Sequence, residues 1–310
     1  MKGLVSLLLA FIILLVGCSN PNDQNEETKT VTFTDALGRT VSVESGSPRT
    51  AALIGSFADI WLLAGGKLCA AAEDAREDFG IDMSGIINLG GAHSPSLESL
   101  VSAQPELVLA SASSASNVKL RSTLEAMGIT VAYFDIDCFE DYLEMLRICT
   151  GITGHPELYE ENGLRLKDSI NKIKASVSIP EDEQKILLLR ASSSSLKAKG
   201  SRGTILGEML SDLGCENIAD GETSLLEDLS IESILTYDPY RIFIVPMGDD
   251  GNSASEAALD MMHGSAAWST LSAVSNGRVH IMDKELFNLK PNDRWAIAYE
   301  TLANVLCETD

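Results

Sequence analysis

Positive charge is scarce in this chain. Of 310 residues, 23 are Lys or Arg against 45 Asp or Glu, a formal net charge of -22. A surface so acidic excludes sequence-independent binding to a phosphate backbone and electrostatic adhesion to an anionic bilayer. Long apolar runs are missing too: none reaches the ~20 residues of a spanning helix. The six cysteines include no CxxC pair, and a chain this long needs no disulfide framework. Motifs for a nucleophilic serine (GxSxG), a zinc protease (HExxH) and a phosphate-cradling loop (GxxxxGK[ST]) are all absent. The four histidines, His93, His155, His263 and His280, are scattered and form no His-rich loop.

What is present begins with an address. Lys2 precedes an almost wholly apolar run of 13 residues, 4–16, the length of a signal-peptide core. It ends in Leu15-Val16-Gly17-Cys18, a lipobox-like sequence in which Cys18 would carry diacylglycerol. Residues 1–17 are therefore expected to be a lipoprotein signal peptide. Residues 18–30, polar and without periodicity, are expected to tether a folded body held outside the cytoplasmic membrane.

The body alternates short apolar runs with helical stretches and Gly-marked turns, which predicts an α/β fold with parallel sheets. Strands are expected near 51–54, 107–110, 129–134, 185–189, 241–245 and 279–282. Helices are expected near 57–64, 120–127, 139–150, 203–213 and 293–307. Between the halves, Pro156 opens a stretch that would make a helix long enough to link two lobes, although Gly163 weakens it. The division predicted is an N-terminal α/β lobe (31–153), a linking helix (154–179) and a C-terminal α/β lobe (180–310).

A repeat supports two lobes. Residues 96–109, SLESLVSAQPELVL, and residues 230–243, SIESILTYDPYRIF, share one pattern at an offset of 134 (230 − 96). Each reads as a Ser-capped helix, a Pro turn and an apolar strand, with Glu98 or Glu232 in the first helical turn.

In this order, behind a lipobox, further motifs make the chain resemble the solute-binding lipoproteins of ABC importers for ferric siderophores, haem and cobalamin. These are Thr34-Asp35-Ala36-Leu37-Gly38-Arg39-Thr40-Val41, Ile152-Thr153-Gly154-His155, Gly214-Cys215-Glu216-Asn217-Ile218-Ala219 and Trp268-Ser269-Thr270-Leu271-Ser272-Ala273-Val274. The resemblance covers residues 31–307. It implies two Rossmann-like lobes joined by one rigid helix, a metal complex held between them, and no catalysis. It implies a monomer that delivers its ligand to a permease dimer driven by cytoplasmic ATPases. It also implies that Glu98 and Glu232 dock on permease arginines, though a first-turn Glu equally stabilises its own helix by ~0.3–1 kcal/mol.

Ligands of doubly wound sheets sit beyond the strand ends. That nominates Phe57, His93, Arg190, Lys199, Phe287, Lys290, Arg294 and Trp295 as ligand-binding residues. The 24 residues 184–207 hold no acid, where the chain-wide rate of 45 in 310 predicts three or four. Lys185, Arg190, Lys197, Lys199 and Arg202 lie in that stretch. A basic cleft in an acidic protein would focus field on an anion, which favours a ferric siderophore or haem over near-neutral cobalamin. Alternatively these cations pair with acids elsewhere in the fold. Phe57, Phe287, Trp61 and Trp295 could stack on a flat ligand or pack the core. His93 could meet a metal or be an ordinary loop residue. A bare Zn or Mn receptor would need three or four converging His, Asp or Glu. A chelatase-like enzyme is the remaining alternative, with residues 192–195, four serines, as a conceivable nucleophile and no base placed by spacing. Cys138 and Cys149 are a conceivable disulfide.

Overall fold

The computed structural model describes residues 29–227, 229–248 and 251–308. Cys18, the signal peptide and most of the tether lie outside the described residues. No helix among the described residues is long and apolar enough to cross a membrane.

Two parallel sheets form the frame. The first has strand order β5-β4-β3-β6-β7: β3 is Thr50–Ala52, β4 Leu68–Ala71, β5 Ile87–Asn88, β6 Leu107–Ser111 and β7 Thr130–Phe134. It is preceded by an antiparallel hairpin of β1 (Thr30–Thr34) and β2 (Thr40–Glu44). The second sheet has order β10-β8-β11-β12: β8 is Lys185–Ser192, β10 Glu216–Asn217, β11 Arg241–Pro246 and β12 Val279–Ile281. Here β9 (Ser195–Lys199) folds back antiparallel on β8. The chain is α/β with two doubly wound lobes, as its alternating pattern predicts.

The hairpin was not legible as such, and it explains one quoted motif. Asp35 accepts backbone N–H bonds from Leu37 and Arg39, both at 3.0 Å, around the left-handed Gly38. Arg39 returns an ion pair to Asp35 at 2.5 Å and reaches the Val131 carbonyl at 2.8 Å. Burial alone would raise the Asp35 pKa, but the Arg39 hydrogen bonds outweigh it and hold the carboxyl below its usual value. The motif pins the hairpin to β7.

The repeat is structural. Ser96 and Ser230 cap their helices, accepting from the Ser99 and Ser233 N–H groups at 3.2 and 3.3 Å. Leu100 and Ile234, at the same offset, are both fully buried. Gln104 and Asp238 both turn left-handed, at φ 48 and 40, just before a proline. The strands β6 and β11 then start at equivalent positions.

The linker is continuous helix from 156 to 176, as Pro156–Tyr159, one π turn at Glu160–Leu164 and Arg165–Ser176. Gly163 marks the π turn rather than a break. A Cβ there would lie 3.1 Å from Leu143 Cδ2 and 3.2 Å from both Leu146 Cδ2 and Tyr159 Cδ2, so glycine lets the linker lie against the helix Phe139–Thr153. Asn162 donates to the Leu63 carbonyl at 2.9 Å and accepts from the Tyr142 hydroxyl at 2.7 Å. At the other end, Lys174 pairs with Asp212 at 2.7 Å, and the Tyr299 hydroxyl donates to the same carboxylate at 2.8 Å.

Around this rod one apolar cluster runs from the first lobe (Phe57, Trp61, Leu146) into the second (Leu188, Leu206, Phe243) through Trp295 and Leu302. Trp61 is fully buried, donates to the Lys67 carbonyl at 3.0 Å, and packs where a Cβ on Gly66 would sit 2.2 Å away. Cys138 and Cys149 stand about three turns apart on one helix and are both free, so they do not pair. Burial pushes the Cys215 thiol up to about 12, so it behaves as a small apolar side chain.

Gly163→Val should overpack the linker and cost about 1–3 kcal/mol. The measurement is the urea unfolding midpoint, and an unchanged midpoint would contradict the tight contact described.

Candidate functional site

In each sheet the strand order reverses between two neighbours, and a crevice opens there beyond the carboxyl ends. In the first sheet the reversal falls between β3 and β6. The hollow at that point has a volume of about 470 Å³ and is lined by Ile54, Phe57, His93, Ser111, Ser113, Ser114, Ala115, Ser116, Asp135 and Lys290. In the second sheet it falls between β8 and β11. A narrower crevice there is lined by Arg190, Lys199, Val245 and Phe287 among others. Lys290 comes from the second lobe yet lines the first lobe's hollow, and lies close enough to Arg190 to feel its charge. Lys290 thus links the two crevices across the lobe boundary.

The wall contributed by the first lobe is hydroxyl-rich. Ser111 and Ser113 share a hydrogen bond at 2.9 Å, as do Ser114 and Ser116 at 3.0 Å. Ser114 caps the helix Ala115–Ala126, whose unpaired N–H groups and positive dipole end therefore open at the hollow. Asn117 holds this wall in place. Its side chain accepts from the Ser111 N–H at 3.0 Å and donates to the Ala92 carbonyl at 3.4 Å, fixing the loop that carries His93. Sequence reasoning missed Asn117, although a lone Asn in a helix's first turn is a signal for such bridging.

The wall contributed by the second lobe is cationic. Arg190 and Lys199 lie on the same face of the β8–β9 hairpin, where Arg190 is paired in register with Lys197 and Leu188 with Lys199. The four-serine run is that hairpin's turn: the Ser192 hydroxyl accepts from the Ser195 N–H at 3.0 Å. Lys185, Lys197 and Arg202 of the acid-free stretch are exposed, and neither crevice includes them.

Arg190, Lys199 and Lys290 are each partly buried, and none makes an ion pair or side-chain hydrogen bond with another described residue. Burial lowers the pKa of all three. For Arg190 burial is the whole cause, for Lys199 the neighbouring Arg190 and Lys197 add to it, and for Lys290 nearby Asp137 and Asp135 oppose it. Surface cations elsewhere in the chain do find partners, such as Lys174 with Asp212 and Arg147 with Glu144.

Two candidates belong elsewhere. Arg294 pairs with Glu285 at 2.8 Å and lines neither crevice, because it stands at the start of the terminal helix rather than at a strand end. Trp295 is fully buried, edge-on to Phe139 at 5.7 Å and beside Tyr142 and Tyr299, so it is a core residue joining the lobes. Phe57 and Phe287 do line the crevices but are 1% and 2% exposed, leaving no ring face to stack on. His155 is exposed and hydrogen-bonded to Glu157 at 3.0 Å, and His280 packs on Phe243. No group of three His, Cys, Asp or Glu among the described residues could hold a metal ion. Glu98 and Glu232 are both exposed, each in the first turn of a capped helix.

The lobes also touch beside the hollow. Buried Asn292, left-handed at φ 54, donates to the Ser56 carbonyl at 3.0 Å and to Asp59 at 2.7 Å. Lys284 reaches Asp78 across the gap at 3.0 Å.

The family described as "Periplasmic binding protein" matches residues 64–286. The chain belongs to this family. It is 24% identical over 294 residues to the Bacillus subtilis protein named "Uncharacterized ABC transporter substrate-binding lipoprotein YvrC", covering 92% of this chain and 90% of that one. It is 26% identical over 304 residues to the Fe(3+)-citrate-binding protein YfmC of B. subtilis, covering 91% and 89%. Among solved structures, the periplasmic heme-binding protein RhuT from Roseiflexus sp. RS-1 superposes with a TM-score of 0.68 at 18% identity, covering 84% of this chain and 98% of that one.

Because Arg190 is partly buried without an ion-pair partner, Arg190→Met should raise the thermal midpoint of ligand-free protein, by about 2 °C or more. A fall in the midpoint would make Arg190 a structural residue.

Proposed function

We propose that this periplasmic binding protein is a lipid-anchored receptor of an ABC importer, tethered through Cys18, that captures an anionic iron complex, a ferric siderophore or haem, between its lobes. One observation carries this reading. Three cations, Arg190, Lys199 and Lys290, line the crevices of a -22 protein, and none forms an ion pair among the described residues, although Asp135 and Asp137 lie near Lys290. Burying unpaired cations destabilises the empty protein, and an anionic ligand supplies the missing charge. The names of the relatives, for ABC-transporter substrate binding and for Fe(3+)-citrate binding, support the same class.

Affinity comes from a largely preformed hollow. The continuous core and the linking helix limit lobe movement, so little ordering is needed on binding. Release then falls to the permease, which engages Glu98 on one lobe and Glu232 on the other. His93 sits at the exposed mouth of the hollow and contacts the ligand's rim.

Two measurements test this. In a thermal-shift panel, an anionic ferric complex raises the unfolding midpoint by mass action, while Zn²⁺ and Mn²⁺ salts and cobalamin do not. A shift with the metal salts alone would favour a bare-metal receptor. Second, replacing Glu98 and Glu232 together with Ala abolishes uptake in cells and leaves ligand affinity unchanged. Lost affinity with normal uptake would refute the docking role.

A further inference from the structure

The walls of the hollow also narrow the class of ligand. Resting on the receptor reading above, we propose that the cargo is a small ferric hydroxycarboxylate, an iron ion already saturated by the oxygens of a polycarboxylate chelator, rather than haem, a catecholate complex or a corrinoid.

Three features of the hollow point this way. First, its polar lining is mostly hydroxyls and a cation, Ser111, Ser113, Ser114, Ser116 and Lys290, with Arg190 and Lys199 at the adjoining crevice; His93 and Asp135 also line it, but no group of three His, Cys, Asp or Glu among the described residues could hold a metal ion. Ammonium and guanidinium groups repel a bare Fe³⁺ ion, and serine hydroxyls are weak ligands for it. The metal must therefore arrive with its coordination shell filled by something else. Second, the aromatic rings offer no face. Phe57 and Phe287 are almost fully buried. A porphyrin or a catechol ring presents a broad π-surface and binds best against exposed rings, whereas this lining suits a ligand whose outer surface is oxygen.

Third, the partners for carboxylates stand on opposite sides. The cationic β8–β9 hairpin belongs to one lobe, and the hydroxyl wall with the N-terminus of the helix Ala115–Ala126 belongs to the other. Both kinds of group favour carboxylate oxygens, one by charge and the other by N–H and O–H donation. A ligand with carboxylates at two poles satisfies both walls at once. Asp135 is the one acid among the described residues lining the hollow, close enough to Lys290 to act on its charge. It offsets part of the cationic field, so it should weaken rather than assist binding of a fully anionic complex.

The test is calorimetric titration of the full-length protein in detergent with ferric citrate, metal-free citrate, a ferric tris-hydroxamate, a ferric tris-catecholate, haem and cyanocobalamin. Ferric citrate should bind most tightly, and metal-free citrate at least about tenfold more weakly. Arg190→Gln and Lys290→Gln should each weaken ferric citrate about tenfold or more, the range expected for a lost charge-assisted hydrogen bond. Asp135→Asn should increase affinity, an opposite sign that general damage to the fold cannot produce, and a loss of affinity would contradict the cationic-field argument. Tighter binding of haem, the hydroxamate, the catecholate or cyanocobalamin than of ferric citrate would overturn the hydroxycarboxylate class and leave the receptor reading standing. Equal affinity for citrate with and without iron would also overturn it. Heat from none of these complexes would remove the receptor reading itself.

Discussion

The structure depends on one uninterrupted apolar core that passes from lobe to lobe. Trp295 is its keystone, packed edge-on to Phe139 of the first lobe while its own helix belongs to the second. The linking helix lies against both, clamped at one end by Asn162 and Tyr142 and at the other by Lys174, Tyr299 and Asp212. Close-packed interiors deform little, so separating the lobes means breaking apolar contact as well as bending a hinge. The mutual position of the two crevices follows from this packing.

With the frame rigid, charge can be placed at a cost to stability. Arg190, Lys199 and Lys290 are held partly out of water without an ion pair among the described residues, and only Lys290 has acids nearby, Asp135 and Asp137. The hairpin turn at residues 192–195 fixes this by folding β9 back on β8, so that a locally acid-free sequence becomes one cationic face. The opposite wall uses neutral donors, steadied by the buried side chain of Asn117. The interlobe space is therefore asymmetric, charged on one side and hydroxylic on the other.

Much of the frame was legible because its signals are local. Alternating runs mark strands and helices, and the 134-residue offset marks duplication. The offset reaches even to Gln104 and Asp238, two left-handed residues before prolines, which no propensity argument would pair. The misreadings share a different cause. Arg294 and Trp295 adjoin Lys290 in sequence, but the helix beginning at Trp295 turns one into the core and leaves the other paired with Glu285. The β1–β2 hairpin was hidden because its anchor, Arg39 to Val131, spans 92 residues.

The sequence by itself determined the fold class, the duplicated lobes, the linking helix and the basic stretch, since periodicity, capping and composition act between neighbours in the chain. Only the tertiary structure decided which of those cations lack partners and which aromatic rings lose their faces to the core. It also decided that Lys290 of one lobe enters the hollow of the other. Partnering and burial are set by residues distant in sequence, so no local pattern carries them.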